Sequence, residues 1–109
     1  MEADQTNTSC TVDVSGRLAR LAEFDEFFAA SVTGTQRAGP TRLRLELRPD
    51  RQAGQQAGAL AAAETACCSF FSFALTATAG RLVLDVSVTP PHQDALDRMA
   101  ARVHAPGPA

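Results

Sequence analysis

Glu64-Thr65-Ala66-Cys67-Cys68-Ser69-Phe70-Phe71-Ser72-Phe73 is the stretch on which the reading of this chain turns. Upstream of it the apolar residues recur at helical spacing. Downstream they alternate as in a strand, and two adjacent thiols sit where the period changes. On a regular helix neighbouring side chains diverge by about 100°. A distortion at the helix end, expected where the period changes after Cys68, would let both sulfurs face one point.

Working back from the thiols, a helix is expected from Arg51 to Cys68, with Asp50 as its N-cap after Pro49. Ala53, Ala57, Leu60, Ala61 and Glu64 share one side of it. Gly54 and Gly58, four apart, clear a neighbouring face, and close approach by another backbone is the expected motive for their cost of about 1 kcal/mol each relative to Ala. Working forward, Phe71, Phe73, Leu75 and Ala77 alternate with small polar residues as far as Thr78. Ala79-Gly80 makes a turn, and residues 81–89 alternate again through Leu82, Leu84, Val86 and Val88. That is an antiparallel hairpin.

Residues 41–48 also alternate, with Leu43, Leu45 and Leu47 on one side and Arg42, Arg44, Glu46 and Arg48 on the other, a half-buried strand. From Gly16 to Val32, Leu18, Leu21, Phe24, Phe28 and Val32 form a helical stripe, with Asp13 or Ser15 as cap. Cys10 to Val14 leans towards a short strand or lead-in. Thr33 to Pro40, with Gly34, Gly39 and Pro40, reads as a surface loop. After Pro90-Pro91, a last helix carries Leu96, Met99, Ala100 and Val103. The expected fold is an α+β two-layer sandwich of order α-β-α-β-β-α, its helices on one face of a small mixed sheet. The 41–78 crossover should be right-handed if its strands are parallel. The expected core includes Leu21, Phe28, Leu45, Leu60, Phe73, Leu84, Val86 and Leu96.

The 109 residues suit one domain, 10–104, between a flexible arm at 1–9 and a disordered tail at 105–109. All ten basic side chains are Arg, and the net charge of −2 speaks against nucleic-acid or membrane partners. No apolar run approaches the ~18 residues of a membrane span, and the acidic, polar start is unlike a signal peptide. A cytoplasmic protein is expected. No nucleotide cofactor is expected either, because no phosphate-binding glycine motif occurs.

Three cysteines cannot all pair within the chain, and in a reducing compartment clustered thiols are more often metal ligands or reactive groups than bridges. Thiolates favour soft, thiophilic ions. Cys10, Cys67 and Cys68 together point to one soft metal or metalloid ion of the Hg(II), As(III) or Cu(I) type, or to an incomplete Zn site. A fourth ligand from His92, His104 or Glu64 has no support in the spacing. Two other readings stay open. Cysteines beside Phe-Phe can simply pack as small hydrophobes, as in a non-metal interaction module. Alternatively, Glu64 serves as the proton donor of a thiol-dependent enzyme of the organometal-cleaving type. Glu64 can also be an exposed helix charge or an ion-pair partner of Arg20, and Arg20 with Glu23 reads as an ordinary i, i+3 surface pair. The row Arg42, Arg44 and Arg48 reads as a solvated sheet face.

Cys10-Thr11, Arg20-x-x-Glu23-Phe24 and Glu64-x-x-Cys67-Cys68-x-Phe70-x-x-Phe73 resemble a family of small bacterial proteins of unassigned activity. That family has an E-x-x-C-C-x-F-x-x-F core, a Cys-Thr-Leu-like start and an Arg-x-x-Glu-Trp-like helix. The resemblance spans Cys10 to about Val103, with Phe24 where Trp is common and Val12 where Leu is usual. It implies an association with heavy-metal or metalloid resistance. It also implies one site uniting the three cysteines with Arg20, Glu23 and Glu64, in which Arg20 holds Glu64 or favours a thiolate.

Overall fold

The structure is a computed structural model that describes residues 14–104, with side chains described for 20–103. The expectations for the arm, Cys10, the Asp13 cap and the tail lie outside the described residues.

Helix α1 (Val14–Ser31) leads into β1 (Val32–Gly39) and β2 (Arg42–Leu47). Helix α2 (Arg51–Cys67) follows, then β3 (Phe71–Thr78), β4 (Arg81–Val88), a single 3-10 turn at Pro90–His92, and α3 (Gln93–His104). The α+β sandwich is therefore present, with helices packed on the sheet and the order α-β-β-α-β-β-α. Two expectations are corrected. Thr33 to Pro40 is mostly strand rather than loop, and the four-stranded sheet, in order β1-β2-β4-β3, is antiparallel throughout rather than mixed.

The strand missed by pattern is an edge strand. Its pairing with β2 slips between Val32 and Gly34 and again between Arg37 and Gly39. Such irregularities interrupt the two-residue period by which a strand is read. Ser15 lies inside α1 and so does not cap it.

The hairpin is as expected, in register from Phe71↔Val88 to Thr78↔Arg81. Its turn has positive φ at both central residues, 52° at Ala79 and 78° at Gly80, as a type I′ connection requires. Strand β4 also pairs with β2, with Leu45 opposite Leu84 and Arg44 opposite Asp85. β2 and β3 thus run in the same direction with β4 between them.

Leu43, Leu45 and Leu47 of β2 join Leu82, Leu84, Val86 and Val88 of β4 on the buried face. From the helices come Phe24, Phe27, Phe28, Ala53, Ala57, Leu60 and Leu96. Phe27 is fully enclosed, and the stripe read from the sequence did not include it. Leu21 is corrected in the other direction, being 39% exposed, and Phe73 is only partly buried. The opposite face of the sheet is polar and carries cross-strand ion pairs, Arg44–Asp85 at 3.0 Å and Arg81–Glu46, the latter bidentate.

Asp50 caps α2 as expected, its Oδ1 accepting from the Ala53 amide at 2.8 Å. The glycines of that helix do not mark a close backbone approach. A Cβ on Gly54 would meet only Leu82 Cδ2, at 3.7 Å, and one on Gly58 would meet nothing within 4 Å.

Candidate functional site

The two thiols owe their placement to the way α2 ends. Cys67 is its last helical residue, whereas Cys68 is extended, at φ −125° and ψ 94°. The Cys68 amide still donates to the Glu64 carbonyl at 2.6 Å, so the chain leaves the helix within one residue. A tight turn follows, in which the Phe71 amide donates to the Cys68 carbonyl at 3.2 Å. This break cancels the helical divergence of neighbouring side chains. The two sulfurs come to 3.6 Å from each other. That is beyond the ~2.05 Å of a disulfide and close enough for one ligand atom to touch both.

Both cysteines are 6% exposed, and both border a cleft of about 730 Å³. The cleft lies between the facing sides of α1 and α3 and ends at the α2–β3 junction. Phe24 and Phe28 of α1, Phe71 of β3 and Met99 of α3 make its walls apolar, and Leu21 stands at its exposed side. The partial exposure of Leu21 thus has a structural reason, because among the described residues its side of α1 borders the cleft.

Charge enters from the edges of the cleft. Arg20 Nη1 lies 3.3 Å from Glu64 Oε1, and Arg20 Nε lies 3.5 Å from Glu23 Oε1. Glu64 is the more sheltered carboxylate, 13% exposed against 60% for Glu23. The ion pair with Arg20 weighed from sequence is present, and it ties α1 to the last turns of α2. Further along, Arg98 pairs with Asp94 at 3.3 Å and Arg102 with Asp25 at 2.6 Å. The Asp25 contact raises the affinity of the Arg102 guanidinium for its proton, first through their hydrogen bond, against an opposing effect of partial desolvation.

His92 is a contributor that spacing gave no reason to choose. Its ring stacks on Phe70 with centroids 4.0 Å apart and planes 1° from parallel, and Thr89 Oγ1 lies 2.9 Å from its Nδ1. Pro90-Pro91 set up the 3-10 turn that presents it. The sequence signal was present only as two prolines before a histidine.

The structure thus gathers Cys67, Cys68, Glu64 and Arg20 around one cleft, with Glu23 joined through Arg20. Cys10 and the His104 side chain lie outside the described parts. Among the described residues, no group of three or more His, Cys, Asp or Glu side chains is placed to hold a metal ion. His92 and Glu64 therefore border the same cleft as the thiols without completing a donor set with them. What the described residues provide is a convergent dithiol in an apolar surround, suited to a soft electrophilic centre rather than to Mg or Ca. Among the described residues no helix is long and apolar enough to cross a membrane. No family model, curated protein or solved structure matches the chain.

Proposed function

We propose that the protein is a cytoplasmic binder of a soft metal or metalloid ion, with Cys67 and Cys68 as the fixed ligands and Cys10 as the third. The observation that carries the reading is the 3.6 Å approach of the two sulfurs at the edge of a cleft. Thiols already held together lose less freedom on coordination than separate ones, and a soft ion gains most from sulfur. The sequence resemblance to bacterial proteins linked with metal and metalloid resistance supports the same reading.

The convergence of the sulfurs weighs against cysteines that serve only as core filler. Glu64 bears on the choice between binder and enzyme. Its carboxylate already accepts from Arg20 at 3.3 Å, a structural tie between α1 and α2. Binding therefore accounts for more of the site than proton transfer does. Arg20, Glu23 and Glu64 support the thiols from outside the ligand set.

The test is anaerobic titration of the reduced protein with arsenite, Hg(II) or Cu(I), followed by calorimetry and near-ultraviolet absorption. About one equivalent should bind with release of protons, because coordinating thiols must ionise, so affinity falls as pH drops. Cys67→Ser or Cys68→Ser should weaken binding severely. Cys10→Ser should discriminate most against As(III), which prefers three ligands. Equal affinities for the wild type and the triple Ser variant would remove the reading. Glu64→Gln should leave binding in place.

A further inference from the structure

The cleft beside the thiols is far larger than an ion needs. About 730 Å³ falls in the range of sites that enclose small organic molecules, commonly ~300–1,000 Å³. A ligand that uses both the sulfurs and the cleft must join a thiophilic atom to an apolar group. We propose that the protein takes a trivalent arsenical bearing one neutral organic substituent, R–As(OH)2. This deepens the soft-element reading above and rests on it. The arsenic bridges Cys67 and Cys68, and the substituent lies against Leu21, Phe24 and Met99.

The sulfur spacing selects the element. Two bonds of ~2.3 Å, the length of a thiolate–metal bond, meeting at an angle near 100° span about 3.5 Å. The sulfurs stand 3.6 Å apart. A linear two-coordinate centre with bonds of that length would need about 4.6 Å, so the spacing suits a pyramidal centre and not linear Hg(II). In a mono-organyl arsenical the carbon is the third ligand, and two cysteines then complete the coordination.

The reaction is an exchange of ligands without redox change. Two As–O bonds break and two As–S bonds form. Each thiol proton leaves with a hydroxide as water, and arsenic remains trivalent.

The charges around the cleft specify a neutral substituent. Among the described residues, each guanidinium bordering it already has a carboxylate: Arg20 has Glu64 and Glu23, Arg98 has Asp94, and Arg102 has Asp25. An anionic substituent would have to displace one of these carboxylates, whereas an aromatic ring finds Phe24 and Met99, partners of the kind rings and thioethers favour.

The experiment compares phenylarsine oxide, its para-carboxy derivative and arsenite on the reduced protein. The tetrapeptide spanning 66–69 serves as the reference dithiol, and the measurement is anaerobic calorimetry. Phenylarsine oxide should bind the protein about tenfold or more tightly than the peptide, the gain expected from burying a ring, and the carboxy derivative should lose most of that gain. Leu21→Ala and Met99→Ala, both at positions not fully buried, should lower affinity for phenylarsine oxide several-fold relative to arsenite. Cys10→Ser should keep phenylarsine oxide while losing arsenite. Equal binding of phenylarsine oxide to protein and peptide, or its loss in Cys10→Ser, overturns the proposal. If arsenite still binds in that case, the soft-element reading stands without it. If neither compound binds, both readings fall.

Discussion

Arg20 on α1 and Glu64 on α2 are 44 residues apart in sequence and meet through a contact of 3.3 Å beside the thiols. Both are sheltered, at 21% and 13% exposure. The pair is therefore less screened than a surface bridge and less costly to desolvate than a fully buried one. Arg20→Ala should destabilise the protein by about 1–2 kcal/mol, between the typical values for exposed and buried pairs. Glu64→Gln should cost less, since the amide oxygen still accepts from the guanidinium. Urea denaturation of both single variants and the double variant would measure the coupling. Strict additivity would show that the contact contributes nothing.

Removal of the α2 cap should be felt throughout that helix. It has two interior glycines and depends on its first turn, where Asp50 accepts from the Ala53 amide. Asp50→Ala should lower stability by about 1 kcal/mol, and Asp50→Ser should restore most of the loss. The midpoint of urea unfolding at unchanged slope is the measurement.

Gly58 carries the cost of a helical glycine with no packing in return, as a Cβ there meets nothing within 4 Å. Gly58→Ala should stabilise by about 0.5–1 kcal/mol. Gly54→Ala should also be tolerated, since its Cβ would make an ordinary contact with Leu82. A loss of stability at Gly58 would mean that something packs on this face.

Ala79 holds a φ of 52° in the hairpin turn, a region in which alanine is strained. Ala79→Asn, giving Asn before Gly80, should gain about 0.5–1 kcal/mol and leave the register unchanged. Thermal unfolding with amide exchange across the hairpin would check both points.

On the outer face, the hydrogen bond from Arg81 holds the Glu46 carboxyl below its ordinary 4.5, with partial desolvation opposing and the charges of Arg81 and Arg44 adding to the lowering. A carboxyl depressed in the folded state contributes stability above its unfolded pKa, and that contribution is lost as pH falls through the folded value. Glu46→Gln should therefore lower stability slightly at neutral pH, where the contribution is fully present, and flatten part of the loss below about pH 4.5, the ordinary value, so that the two curves converge in acid. The effect should shrink in high salt because the pair is exposed. Stability curves at pH 3 to 7, in low and high salt, would show it.

The elements that could be read from sequence were those with a clean period. β2, β3 and β4 alternate, and their buried and exposed sides follow the pattern as far as Leu75, whose alternation continues although it is 42% exposed. The bulged edge strand β1 has no such period, and its glycines imitate a loop. Leu21, expected in the core, is partly exposed and Phe27, outside the stripe as read, is enclosed, because the cleft, a tertiary feature, decides which side of α1 is covered. At the site, the change of period after Cys68 pointed to a distorted helix end at which the thiols could converge, and the break falls one residue earlier, with Cys67 the last helical residue. His92 gave no comparable signal, because stacking on Phe70 depends on how the β4–α3 connection folds back.

The sheet order has a consequence for how the molecule comes to exist. β4 is the last strand in the sequence, yet it lies between β2 and β3. Its pairing with β2 joins residues about forty positions apart, such as Leu45 and Leu84, and closing so long a loop must precede the contacts that reward it. Among the described residues β3 pairs with β4 alone, and the Phe70 carbonyl accepts from the Thr89 amide at 3.3 Å, so these hydrogen bonds to β3 and to the turn that carries Cys68 and Phe70 wait until that part of the chain has emerged from the ribosome. A chain truncated before β4 would therefore keep the tie between α1 and the end of α2 but lose the strand that holds the residues following the two cysteines.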